Sequence, residues 1–268
     1  GKKLPVQEST FSSVIISIHF QPMITLLAPQ VFAFTQIVTM KTNDISPTLK
    51  LLQQNLLFSG MPQEDLILLC QAAWQRAFEK GQFIALQGEN WPYLFLIASG
   101  RIDAIKESVE GRRLVVRSLK KGDVFWGLAF FDDQEKMSAS LEAKQRGEII
   151  YWNQETLLPV LMKNPAALWK LNQLIIHYIQ ETSKKVDLLA FKPVTNRLAH
   201  FILDNYGDQT GQTFSRDLTL DEMAAKVGTT REQVSRILNR FADEGLIHIT
   251  RTEFEITRPD GLARLAKE

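Results

Sequence analysis

The chain has 268 residues, 45% of them hydrophobic and 23% charged, with a formal net charge of +1. That is room for about two domains of ordinary globular composition. A near-neutral balance excludes a polycation that coats nucleic acid by bulk charge, so a basic surface would have to be local to the C-terminal third. The single cysteine, Cys70, excludes an intramolecular disulfide framework and any cluster of thiolate ligands within one chain.

In chain order, the segment Ser9 to Met40 contains no Asp, Glu, Lys or Arg. Pro22 and Pro29 interrupt it, and Gln21, Gln30 and Gln36 lie inside it. No uninterrupted apolar run therefore reaches the roughly 20 residues of a membrane span, and no small-residue cleavage site marks a signal peptide. Residues 1–45 are expected to be an extension outside the native fold, with Met40 opening the functional chain. The alternative is a membrane-associating arm.

Residues 46–157 form the first expected domain. From Ser46 to Phe78 the pattern is helical, with Pro62 where a first helical turn tolerates it and Cys70 a small buried residue in the run LILLCQAAW. After Glu79 the period changes. Gly81, Gly88, Gly100, Gly111 and Gly122 punctuate short runs such as YLFLIA and RLVVRSL, with Glu110 and Gly111 at a hairpin tip. This predicts an antiparallel sandwich or barrel closing near Trp152. No phosphate-binding glycine loop is present.

Residues 158–192 predict a long helix with an apolar seam through Leu168, Leu171, Leu174, Ile175, Tyr178, Ile179, Thr182, Val186 and Leu189. A second copy of the chain would cover such a seam. A parallel two-fold dimer would also hold the two copies of whatever the C-terminal third presents about 34 Å apart. The alternative is a seam packed only on its own β domain. Lys192 and Pro193 should stop this helix and form a hinge, with Thr195 capping the next, NRLAHFILDNYG.

Residues 193–268 contain LTLDEMAAKVGTTREQVSRILNRFADEGL. Leu220, Met223, Ala224 and Val227 repeat at helical spacing, Gly228 breaks the run, and Thr229 or Thr230 can cap a second helix with a stripe of Val234, Ile237, Leu238 and Phe241. The opposite face carries Arg231, Glu232, Ser235, Arg236 and Asn239, so the stretch reads as a helix-turn-helix. An arginine fork matches the two major-groove acceptors of guanine, and a carboxylate accepts from the cytosine amino group. Glu232 would be repelled by phosphates, so a base donor explains it better than backbone binding. Thr195, Thr219 and Thr230 lie at helix starts, where phosphates bind, although each can equally be only a cap. The alternative is a solvated face with a Glu232–Arg236 pair on a module that binds protein. No catalytic constellation stands out, and His19, His177, His200 and His248 are too scattered for a metal motif, so neither an enzyme nor a metal site is expected.

From about Phe58 to its end the chain resembles the CRP/FNR family of bacterial transcription regulators. The resemblance rests on GDVFWGLAFFDDQEKMSASLEA, on ETSKKVDLLAFKPVTNRLAHFIL and on GTTREQVSRIL. It implies an α+β fold: an N-terminal cyclic-nucleotide-binding-type β roll (jelly roll), a long dimerisation helix and a C-terminal winged helix-turn-helix, the wing being IHITRTEFEIT. It also implies that Arg231, Glu232 and Arg236 occupy the positions that read a TGTGA-like half-site, and that Ser235 matches a serine used by FNR-like members. Double-stranded DNA, a second copy of the chain and RNA polymerase are the implied partners, in the cytoplasm. The effector cassette departs from the family. The glutamate expected on the ribose hydroxyl falls on Gly127 and the arginine expected on the cyclic phosphate falls on Met137, while Ser138, Thr182 and Ser183 keep family-like types. Losing a charge-assisted hydrogen bond of about 1.5 to 3 kcal/mol argues against tight binding of cAMP or cGMP. An iron-sulfur cluster lacks its cysteines. A haem needs only one or two ligands and stays open, with His177 on the long helix the residue to watch.

Overall fold

The computed structural model describes residues 45–207, 211–215, 218–250 and 252–267. The expected extension lies, apart from Ile45, outside them. Two short helices open the described chain, α1 (Ser46–Gln54) and α2 (Gln63–Ala72). Prolines stand at the start of each, where the missing N–H breaks no helical bond. The expected continuation of helix to Phe78 is wrong. Ala73 is extended, and Trp74–Phe78 is strand β1, with Trp74 opposite Tyr151 and Phe78 opposite Gly147. The apolar spacing there suits either element, and pairing with a strand some seventy residues downstream decides it.

The roll continues with β2 (Phe83–Ala85), β3 (Tyr93–Glu107), β4 (Arg113–Lys120), β5 (Val124–Trp126) and β6 (Ser140–Asn153). The sheet runs β1-β6-β3-β4, with β2 added to β6 and β5 to β3, every pair antiparallel. β3 and β6 nearly touch where their register slips. A side chain on Gly147 would overlap the Ser99 carbonyl, and Gly100, at φ +84°, faces the Arg146 carbonyl. Only glycine permits that approach. One apolar cluster fills the roll around Phe95, Ile97, Leu141 and Ile149. A second lies between the roll and the helices around Phe58, Leu69, Trp152 and Leu161. Cys70 is buried in this second cluster, and burial pushes its thiol up to about 11.

Helix α3 (Gln154–Lys163) is capped by Asn153, whose side chain accepts from the Thr156 N–H. The long helix α4 (Pro165–Phe191) follows and ends at extended Lys192. Its predicted seam is two faces, not one. Leu171 is buried against the chain's own roll, with Leu168, Leu174 and Ile175 packed beside it, and Tyr178 donates to the Val124 carbonyl at 2.7 Å. Leu189 is half-buried as well, but beside Gly228 of the C-terminal domain. Of the predicted set, Ile179, Thr182 and Val186 stay exposed, and Trp169 and Ile176, not singled out from sequence, join them. A helix apolar on two sides merges both stripes into one pattern when read as a single period.

The C-terminal domain comprises α5 (Val194–Tyr206), β7 (Phe214–Ser215), α6 (Leu220–Val227), α7 (Arg231–Asp243), β8 (Ile247–Ile249), β9 (Glu253–Ile256) and α8 (Pro259–Lys267). Its three strands pair in the order β7-β9-β8 beside the helices, and one core joins Leu198, Ile202, Met223, Leu238, Phe241 and Phe254.

Candidate nucleic-acid interface

Helices α6 and α7 are set by local chemistry. Thr219 and Glu222 form a reciprocal capping box, with the Thr219 hydroxyl accepting from the Glu222 N–H at 3.2 Å and the Glu222 carboxylate accepting from the Thr219 N–H at 2.9 Å. Gly228 ends α6 at φ +76°, and the Thr230 side chain caps α7. Thr195 differs from expectation. Helix α5 begins at Val194 after Pro193, so Thr195 lies within the first turn, and its hydroxyl accepts from the Arg240 guanidinium at 2.9 Å.

Val234, Leu238 and Phe241 turn inward, while Arg231, Glu232 and Arg236 are exposed on the other side of α7 and Ser235 is half-buried. These four predicted readers therefore share one face. Arg231 is steadied by Asp221 of α6 at 3.4 Å. The Glu232 carboxyl is held below its ordinary value by its own backbone N–H and by the Thr230 hydroxyl. Residues 193–268 contain ten Lys and Arg against twelve Asp and Glu. The domain thus relies on positioned cations, not on bulk charge.

The first helix of the motif is docked on the roll. Lys226 of α6 reaches the buried Asp103 of β3 at 3.4 Å and Ser118 of β4 at 2.9 Å. Glu222 meets Lys144 of β6 at 3.3 Å. Burial raises the Glu222 carboxyl, but Thr219 and Lys144 outweigh it and the net direction is down. Lys185 of α4 donates to the Val115 carbonyl. Burial pushes its ammonium down to about 8, with Lys226 adding to that push and Asp103 opposing it. None of these contacts was legible in sequence, because the partners lie far apart along the chain.

The cassette residues do not form a polar cradle. Gly127 is buried, and a side chain there would overlap the Trp91 carbonyl oxygen. Met137 is buried in the roll core, its N–H donating to the Glu89 carbonyl at 2.9 Å. Ser138 is exposed, Ser183 is exposed, and the Thr182 hydroxyl donates to the Tyr178 carbonyl within α4 at 2.8 Å. Between roll and helix, the Trp126 and Tyr178 rings stack at 5.2 Å and 13°. Among the described residues no group of three or more His, Cys, Asp and Glu could hold a metal ion, and no helix is long and apolar enough to cross a membrane.

A β roll, a long connecting helix and a winged helix-turn-helix with an exposed arginine-bearing face define a DNA-binding regulator with a sensor-type domain. The comparisons agree. Residues 75–164 match the cyclic nucleotide-binding domain family and residues 196–265 the Crp-like helix-turn-helix domain family. The cAMP-activated global transcriptional regulator CRP of Salmonella typhimurium is 31% identical over 166 residues, which is 60% of this chain and 79% of that protein. The Cyclic AMP receptor protein of Thermus thermophilus is 29% identical over 193 residues, 72% of this chain and 88% of that protein. Among solved structures, the c-di-GMP responsive global regulator CLP of Xanthomonas campestris superposes with a TM-score of 0.65 at 19% identity, covering 73% of this chain and 99% of that one. FixK2 of Bradyrhizobium japonicum does so with a TM-score of 0.59 at 18% identity, covering 72% and 96%. The chain belongs to the CRP/FNR family of transcription regulators.

Proposed function

We propose that the chain acts as a homodimer that recognises a TGTGA-like palindrome in double-stranded DNA. The observation that carries this reading is the outer face of α7, where exposed Arg231, Glu232 and Arg236 and half-buried Ser235 stand together on a helix capped by the Thr230 side chain. Arg231 and Arg236 supply guanine forks and Glu232 supplies an acceptor for cytosine. Thr230 stands at a helix N-terminus suited to phosphates, while Thr219, held by the Glu222 carboxylate, and Thr195, bonded to Arg240, are better read as structural.

The dimer face is the exposed stripe of α4. Trp169, Ile176, Ile179 and Val186 are each more than half exposed and follow one another at intervals of seven, three and seven residues, the spacing of a coiled-coil seam. RNA polymerase is the further partner that this class of regulator implies.

The effector is neither cAMP nor cGMP. Gly127 and Met137 offer neither the carboxylate nor the cation such a ligand requires, and the space for a longer residue at 127 is taken by the Trp91 carbonyl. Fluorescence anisotropy at 100 mM salt with a palindromic TGTGA-type duplex and a scrambled duplex, with and without millimolar cAMP, tests both parts. Sequence preference that cAMP leaves unchanged is expected. Micromolar cAMP affinity would refute the effector statement, and equal affinity for both duplexes would refute the readout.

A further inference from the structure

A cavity of about 840 Å³ opens between the turn joining α1 to α2, the turn joining β4 to β5, and the first half of α4. Its volume falls in the range of small-molecule sites. Its walls are held before any ligand arrives. Asn55 is buried, donates to the Gly122 carbonyl at 2.7 Å and accepts from the Leu57 N–H at 2.9 Å, so the two turns are tied together. On the third side, Arg117 lies 3.5 Å over the Tyr178 ring, and Tyr178 is itself bonded to the Val124 carbonyl.

The lining has two kinds of surface. Leu51, Leu57 and Leu174 give it an apolar side, while Arg117, Lys121 and Lys170 bring three cations to it. The acidic group among the lining residues, Asp123, accepts from the Lys120 N–H at 2.8 Å, a contact within its own turn. Charge complementarity therefore asks for an anion, and the leucines ask that the anion carry an apolar body.

We infer that this cavity is a binding site for a small amphipathic carboxylate, its apolar part against Leu51, Leu57 and Leu174 and its carboxylate among Arg117, Lys121 and Lys170. The site is separate from the Gly127 and Met137 cassette positions, which do not line it. It touches α4 at Lys170, Leu174 and Tyr178, and the Trp126 ring stacked on Tyr178 reports on it optically.

The test uses the full chain without DNA, so it does not depend on sequence-specific readout. Calorimetry and tryptophan fluorescence follow titration with dodecanoate below its micellar concentration, with 1-naphthoate, and with dodecanol as the uncharged control. Dodecanoate and naphthoate distinguish an alkyl from an aromatic body. Saturable binding of at least one of them, weakened roughly tenfold by Lys121→Gln and by Lys170→Gln, is the expected result, tenfold being what loss of one charge-assisted hydrogen bond gives. Both lysines lie at the surface or partly so, and unchanged melting of the variants checks that they fold. Binding that the two substitutions leave unchanged would place the ligand elsewhere, for example on the uncharged segment Ser9 to Met40. That outcome, equal affinity for dodecanol, or no binding of either carboxylate at millimolar concentration would overturn the inference.

Discussion

Replacing Lys226 with Met should cost far more than replacing its partner Asp103 with Asn. The Asp103 side chain is 2% exposed and that of Lys226 is 16% exposed. Asp103 Oδ1 is buried with no hydrogen-bond partner among the described residues, and the carboxylate leans on Lys226 at its other oxygen, with Lys185 as the further cation acting on it. Removing the lysine leaves a buried charge short of compensation, an effect of about 3 to 5 kcal/mol. Asp103→Asn instead leaves Lys226 bonded to Ser118 with a route to water, and the loss is about 1 kcal/mol. Because the two residues belong to different domains, Lys226→Met can escape part of its penalty by undocking α6 from the roll. Urea unfolding therefore has to be read beside a distance measurement between spin labels at exposed positions such as Arg112 and Asp243. The buried Cys70 thiol, pushed up to about 11, will not compete for the label. Lys226→Met should lower stability by several kcal/mol or lengthen that distance, and Asp103→Asn should do neither strongly. An equal or larger effect of Asp103→Asn would refute the assignment of Asp103 as the dependent, buried charge.

Arg236→Ala should relax preference at one base pair by about 1 to 3 kcal/mol, seen in a panel of single-base operator variants, whereas equal loss on every sequence would mean a phosphate contact only. Gly228→Ala should destabilise by about 2 kcal/mol in thermal melts, since the residue is left-handed and a Cβ would stand 2.5 Å from Leu189 Cδ2. Lys185 has a folded value of about 8, below its ordinary 10.5, so the folded chain binds fewer protons there between those limits. Its unfavourable contribution is full below pH 8 and is relieved as pH rises toward 10.5. The stability of Lys185→Met relative to the parent should therefore fall by about 1 kcal/mol between pH 7 and pH 10, after allowing for partial exposure, on top of a pH-independent offset from the lost Val115 and Asp103 contacts; a constant gap in urea midpoints would contradict this.

The features legible in sequence were those fixed by nearby residues. The helix starts at Thr219 and Thr230, the break at Gly228, the stop at Lys192 and Pro193, and the glycine turns of the roll each depend on a few adjacent positions. The four readers share a face because helical periodicity alone puts them there. What escaped depends on distant partners. Trp74–Phe78 is a strand because β6 pairs with it, and Leu171 and Tyr178 face inward because the roll lies there. The two stripes of α4 could have been separated by the seven-residue spacing of Trp169, Ile176, Lys170 and His177, since one pair is apolar and the other polar. Nothing in the sequence announced the meeting of Asp103 with Lys226, or the cavity shared by Arg117, Lys121 and Lys170.

The central claim is that paired α7 helices read DNA from a dimer held by the outer stripe of α4. The most direct measurement is light scattering of the chain and of Ile176→Glu/Ile179→Glu, combined with anisotropy on palindromic, single half-site and scrambled duplexes at fixed salt. The account predicts a dimer that prefers the palindrome to the scrambled duplex by about a hundredfold or more, and a monomeric variant that has lost this preference. A parent chain that is monomeric, or that binds all three duplexes alike, would contradict it.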